Sequence, residues 1–172
     1  LTETAAPTGY TNGTTWSCDG GTFVGPDKIT VALGGAVTCT ITNTDDTPTL
    51  KLVKVVTNND GGTAAANDWD LTATGTSRTF TELTPAAADA SFNDVTAGVQ
   101  YTLTETAAPT GYTNGTTWSC TGTGISASDD THVTVALGGA VTCTITNIDD
   151  TPTLKLVKVV SNNDGGTAAA ND

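Results

Sequence analysis

Histidine is almost missing from this chain. The single copy, His132, leaves no material for a histidine-based metal or catalytic centre. Basic residues are scarce too: six Lys and Arg face eighteen Asp and Glu, giving a net charge of −12 and a pI near 4.1. Such a surface repels phosphate backbones and anionic lipid, which argues against nucleic-acid or membrane-surface binding. No apolar run approaches the roughly 18–20 residues that span a bilayer. There is no CxxC pair, no Ser–His–Asp set and no phosphate-cradling glycine loop. No helical stripe of useful length appears either. Enzymatic turnover and a bound cofactor are therefore not expected.

What the chain has is repetition. Residues 1–68 return, almost letter for letter, as residues 103–172. Leu1–Cys18 recurs unchanged at Leu103–Cys120, Val31–Asn43 at Val135–Asn147, and Asp45–Val56 at Asp149–Val160. A period of about a hundred residues suits one small domain per repeat rather than a solenoid unit. The chain reads as a window on a tandem array, starting and stopping in mid-repeat, so a missing leader peptide carries no inference about export. Residues 1–46 are the end of one repeat, 47–149 a complete repeat, and 150–172 the first strand of a third. Asp45–Pro48 and Asp149–Pro152 are the junctions, and their brevity and proline favour a semi-rigid rod.

Within residues 47–149, period-two alternation bounded by Gly, Pro, Asn and Asp predicts strands. They fall at 49–56, 69–76, 78–83, 90–95, 100–106, 116–120, 132–137 and 140–147, with Thr84–Asp89 as a loop and Ala136–Gly139 as a tight turn. Seven or eight short strands in a hundred residues predict an all-β, antiparallel sandwich of Ig-like or prealbumin-like kind. Cysteines fall one pair per copy, Cys18 with Cys39 and Cys120 with Cys143, and read as disulfides. Each bridge closes about twenty residues, worth on the order of 3 kcal/mol in the chain-entropy treatment. Whether Cys120 and Cys143 join neighbouring strands or opposite sheets is open at this level. Disulfides in a small domain imply an oxidising, extracellular setting.

The chemistry lies where strand parity and residue type conflict. Leu50, Leu52, Lys54 and Val56 share one face of their strand; Tyr101, Leu103 and Glu105 share another; Val141, Cys143, Ile145 and Asn147 a third. If those faces form the core, a lysine, a glutamate and an asparagine point inward. A lone buried charge costs several kcal/mol, so such groups must pair or become neutral. A neutral amine beside a protonated acid is what attack on an Asn carboxamide requires, with ammonia lost and an isopeptide bond formed. Lys51 is a rival for the amine, but face parity selects Lys54. The bland alternative puts Lys54 in solvent, Glu105 in a surface pair and Asn147 at the start of a turn.

At these positions the sequence resembles a known family. Tyr101–Tyr112 (YTLTETAAPTGY), the lysine of LKLVKVV (50–56) and TITN (144–147) are similar to SpaA-like or CnaB-like, prealbumin-type sandwich domains of Gram-positive surface proteins, pilins and adhesins. The resemblance implies Lys54 as amine, Glu105 as catalytic acid and Asn147 as amide. It places Glu3 and Asn43 in the preceding repeat's set and Lys158 in the following one's. It also implies a structural role at a bacterial cell surface or in a secreted fibre. Its partners would be neighbouring repeats and other copies in a filament, and any enzymology is limited to one self-directed bond. The cysteine pair departs from many isopeptide domains.

An alternative function is a ligand-binding adhesin module with specificity in 19–30 and 121–134, where the copies diverge most. Weaker signals have plainer readings. Asn12-Gly13-Thr14 and Asn114-Gly115-Thr116 fit a glycosylation sequon but also an Asn-Gly turn, which we favour. Asn58–Gly62 with Asp68 and Asp70 offers oxygens for calcium, yet the spacing is wrong for an EF-hand and a solvated turn fits better. The Thr-x-Thr-x-Thr rows at 38–42 and 142–146 permit an ice-binding face, but Thr is simply a good exposed-strand residue. Trp16, Trp69 and Trp118 read as core.

Overall fold

The computed structural model describes residues 1–171. Residues 1–45 carry six short strands: β1 (Tyr10–Thr11), β2 (Ser17–Asp19), β3 (Thr22–Gly25), β4 (Lys28–Thr30), β5 (Thr38–Thr40) and β6 (Thr44–Asp45). They pair only as three two-stranded pieces, β1 with β6, β2 with β5 and β3 with β4. The central repeat holds β7 (Thr49–Thr57), a 3-10 turn (Ala66–Asp68), β8 (Leu71–Thr74), β9 (Thr79–Glu82) and β10 (Asn93–Asp94). After them come β11 (Gln100–Glu105), β12 (Tyr112–Thr113), β13 (Ser119–Ser128) and β14 (His132–Asp149). These eight strands form one sheet system in the order β10-β7-β14-β11-β8-β9, with β12 and β13 also on β14.

Strand β14 organises the sandwich. Its first residues, His132–Thr134, pair with β11, whereas Ala140–Ile148 pair with β7. The strand changes partner at Ala136–Gly139, where Gly138 sits at φ +68°. Corners of this kind are made where a strand passes from one layer to the other. The sequence predicted a tight turn and two strands here; the chain instead runs through as one strand of 18 residues. The turn does form in the preceding copy, where Gly35 N–H donates to Ala32 O at 2.9 Å. The identical segments differ because only the central one has β7 and β11 to pair with.

A second departure concerns strand direction. Most pairs are antiparallel as expected, but the first strand of the repeat runs parallel to the last, from Thr49 beside Ala140 to Thr57 beside Ile148. The divergent segments are not open loops either. Residues 22–30 form the β3–β4 hairpin, and most of 121–134 is the long β13–β14 hairpin. Some expected strands are shorter: 69–76 contracts to Leu71–Thr74 and 90–95 to Asn93–Asp94.

Alternate residues of β7, β8, β11 and β14 line a single core. It contains Leu50, Leu52, Leu71, Ala73, Tyr101, Leu103, Val133, Val135, Val141, Cys143 and Ile145, closed by Val95 and Trp118. Cys120 and Cys143 lie directly opposite on β13 and β14 and form a disulfide, so the bridge joins neighbouring strands. Cys18 and Cys39 do the same between β2 and β5. Trp69 and Trp118 are buried as expected, whereas Trp16, with no complete sheet to pack against, is only half-buried.

The junctions recur like the repeats. Asp46 N–H donates to Gly9 O and Asp150 N–H to Gly111 O, both at 2.8 Å. The hydroxyls of Thr11 and Thr113 donate to Asp46 and Asp150, both at 2.6 Å. Gly138 N–H also donates to Asp46 O at 2.8 Å, so the corner of β14 rests on the preceding junction. A side chain on Gly138 would press on Gly9 and Asp46.

Candidate functional site

Parity in three strands delivers three polar side chains to one place. Lys54 is 2% exposed and Asn147 fully buried, and the Glu105 side chain is 6% exposed. Lys54 and Asn147 lie on the paired strands β7 and β14, with Ile145 beside Lys54 and Asn147 beside Val56. The carboxamide is thus one diagonal step along the face from the amine. Glu105 ends β11, whose last pair is with Leu71 of β8.

One oxygen bridges the set. Glu105 Oε2 accepts from Lys54 Nζ in a close ion pair and from Asn147 Nδ2 at 3.0 Å. Glu105 Oε1 is buried without a partner among the described residues. Burial pushes the Lys54 amine below its ordinary range, against the opposing hydrogen bond and charge of Glu105. The Lys54 ammonium also stands 4.9 Å from the Trp69 ring centroid. Trp69, itself buried, meets Tyr112 edge-on at 5.6 Å.

Lys51 is placed elsewhere. Its Nζ donates to Ala87 O at 3.0 Å on the exposed side, 5.9 Å from the Phe92 ring. The segment after β9 then covers the lysine that points inward: Lys54 N–H donates to Pro85 O at 2.8 Å. Glu82 secures this cover. It is buried and accepts from Thr84 N–H at 3.2 Å, the Thr84 hydroxyl at 3.1 Å and Ser91 N–H at 3.1 Å. The same parity rule that marks Lys54 would have marked Glu82, since it shares a strand face with Phe80.

The partial sets differ. Glu3 and Asn43 meet, Asn43 Nδ2 donating to Glu3 Oε1, although both residues are exposed. Lys158 lies in an exposed segment without strand structure. His132 stands at the β13–β14 hairpin, its Nδ1 3.0 Å from Asp129 Oδ1.

Asp149, which the sequence marked only as a junction residue, is a second buried anchor. Its carboxylate accepts from Asn59 N–H at 2.9 Å, Asp60 N–H at 2.7 Å and Gly62 N–H at 2.8 Å. The Asn58–Gly62 loop is therefore a nest of amides closed on an anion, not a cage of oxygens aimed at a cation. Tyr112 completes it, donating to Asn58 Oδ1 at 2.6 Å and accepting from Ala64 N–H at 2.8 Å. Burial pushes the Asp149 carboxyl up, but the amides of Gly62, Asn59 and Asp60 outweigh it and hold it below its ordinary value. A folded value below the unfolded one, about 3.9, means the stabilisation is complete at neutral pH. It fades as pH falls through the folded value. Asp149→Asn should lower the urea midpoint at pH 7 and flatten the acid limb of stability; identical acid limbs in both proteins would contradict this role.

The all-β sandwich thus gathers a lysine of β7, a carboxylate of β11 and an asparagine of β14 at one buried place. The family of the prealbumin-like fold domain SpaA_2 matches residues 1–41 and 45–145, and the chain belongs to that family. Among solved structures the chain is similar to two major pilin proteins of Streptococcus pyogenes. One is T3.2, with 17% identity over 86% of this chain and 65% of that one, and a TM-score of 0.37. The other is T-13, with 17% identity, 86% and 64% coverage, and a TM-score of 0.39. The chain thus spans slightly less than two thirds of each pilin's length. No curated protein matches its sequence.

Proposed function

We propose that this chain is a segment of an extracellular stalk or filament of a bacterial surface. Each repeat is one sandwich tied from its first strand to its last by a Lys54–Asn147 isopeptide bond. The observation that carries this reading is the Glu105 oxygen shared between the Lys54 amine and the Asn147 amide nitrogen in a buried pocket. It supports a proton path from the attacking nitrogen to the leaving one.

The reaction balances within the chain. Proton transfer between the Lys54 ammonium and the Glu105 carboxylate gives a neutral amine and a neutral acid, a pair that burial favours over two charges. The amine lone pair attacks Asn147 Cγ, a C–N bond forms, and the carbonyl electrons move onto Oδ1. Glu105 gives its proton to Nδ2 and recovers one from Nζ. The Cγ–Nδ2 bond breaks and ammonia departs, leaving an amide. One bond forms per folded repeat, so the chain is its own reagent and not an enzyme acting on a substrate.

Mechanical use follows from where the bond sits. Force entering at Thr49 and leaving at Asp149 reaches the cross-link within a few residues, so the rest of the sandwich is bypassed. The junction hydrogen bonds, with Gly138 resting on Asp46, favour stiff contact between repeats and hence reach. The partners are neighbouring repeats and other copies of the chain in a fibre. No helix among the described residues is long and apolar enough to cross a membrane. The reading is tested by mass: the folded chain should lack one ammonia, about 17 Da, and an undiminished mass would remove the cross-link from it.

A further inference from the structure

We propose that the Asn114–Gly115 turn belongs to the reacting site: Gly115 N–H stabilises the charge that develops on Asn147 Oδ1, and Asn114 Oδ1 holds the leaving nitrogen. This rests on the isopeptide reading and assigns the other half of its chemistry, which Glu105 alone leaves without an electrophilic partner for the carbonyl.

Gly115 N–H donates to Asn147 Oδ1 at 2.7 Å. Asn147 Nδ2 donates to Glu105 Oε2 at 3.0 Å and to Asn114 Oδ1 at 3.2 Å. The carboxamide is thus held at its oxygen and at both amide hydrogens, which fixes its orientation. A flip would set the amide NH2 against the Gly115 N–H and the oxygen against the Glu105 carboxylate. Attack by Lys54 would drive negative charge onto Oδ1, where a fixed donor already waits in a water-poor site.

Asn114 is itself fixed. Its Oδ1 accepts from Trp69 Nε1 at 3.2 Å, and its Nδ2 donates to Thr106 O at 2.9 Å. An N-linked sugar would replace one hydrogen of that Nδ2 on a half-buried side chain beside the site, which disfavours the sequon reading. Gly115 must lack a side chain for the approach, because a Cβ would overlap Thr146 O and press on the Ile145 side chain.

The preceding copy repeats the Gly115 contact without an amine, but not the Asn114 one, since Asn12 Oδ1 has no partner among the described residues. Gly13 N–H donates to Asn43 Oδ1 at 2.9 Å, Asn12 Nδ2 to Thr4 O at 2.7 Å, and Asn43 Nδ2 to Glu3. A Cβ on Gly13 would likewise overlap Thr42 O. The glycine N–H therefore meets the amide oxygen where no lysine engages the amide.

The test follows ammonia loss by mass over time in the full chain made by cell-free translation. Glycolic acid at position 115 deletes the N–H and adds no side chain. Removing one donor of this kind slows the chemistry roughly 100-fold or more, and that is the expected result. Asn114→Ala should slow it at every pH and leave the midpoint of the pH–rate curve in place. A merely structural defect would let water in and move that midpoint toward the ordinary lysine value. A wild-type rate in both variants overturns the assignment while the isopeptide reading stands. If wild-type chain loses no ammonia, both fall together. If the ester variant does not acquire its disulfide, the Asn114→Ala curve decides: a shifted midpoint or an unchanged rate overturns the proposal.

Discussion

Pulled from its two ends, the central repeat of the wild-type chain should release almost no length between Lys54 and Asn147. Glu105→Gln should release roughly 230 Å with the Cys120–Cys143 disulfide intact and about 300 Å once it is reduced, taking ~3.4 Å per extended residue. The difference between the last two is the loop of 23 residues that the disulfide closes. The geometry makes the contrast sharp. Strands β7 and β14 run parallel, so opposed forces on the start of β7 and the end of β14 load their ladder in shear. Hydrogen bonds in shear resist together, but they fail; a covalent bond at Lys54 and Asn147 does not fail at those forces. Single-molecule extension reads the released length directly. A wild-type trace with the full release would mean that no cross-link bears load.

The same substitution should cost the repeat about 4–5 kcal/mol of stability. Closing a loop of about 90 residues removes that much entropy from the unfolded chain in the chain-entropy treatment. A domain typically has only about 5–15 kcal/mol in total. Gln at 105 keeps the shape of the side chain but carries no acidic proton, so the repeat folds with amine and amide still separate. Each kcal/mol moves the melting midpoint of a domain this size by about 4–8 °C. A fall of roughly 15–40 °C is therefore expected, with the disulfide unchanged. Calorimetry of the oxidised proteins would show it, and equal midpoints would contradict a covalent tie in the wild-type chain.

The sequence made the buried set legible because strand periodicity is simple. Once β7, β11 and β14 are strands with an apolar face inward, Lys54, Glu105 and Asn147 have nowhere else to point. Parity also separated Lys54 from Lys51, which lies on the exposed side. The Asn114–Gly115 turn was legible as a turn but not as a clamp. Its role depends on a backbone N–H meeting a strand more than thirty residues away, and no periodicity encodes that. Asp149 escaped for a similar reason, since its partners are three amides of a loop about ninety residues earlier.

Identical sequences in this chain show why local reading stops there. Leu50 and Leu52 are fully buried in β7, whereas their duplicates Leu154 and Leu156 are 85% and 84% exposed and form no strand. Ala32–Gly35 turns where Ala136–Gly139 runs through the corner of β14. The residues are the same; the available partners differ. Strand propensity expresses itself only against a neighbouring strand, and the first strand of a repeat finds its neighbour in the last.

The most direct test of the account is the mass of the purified, oxidised chain, intact and after digestion. A deficit of about 17 Da beyond the two disulfides is expected, carried by a branched peptide that joins Lys54 to Asn147. It should vanish in Glu105→Gln. A wild-type chain at full mass, with Lys54 and Asn147 recovered in separate unmodified peptides, would contradict the cross-link and with it the load-bearing role.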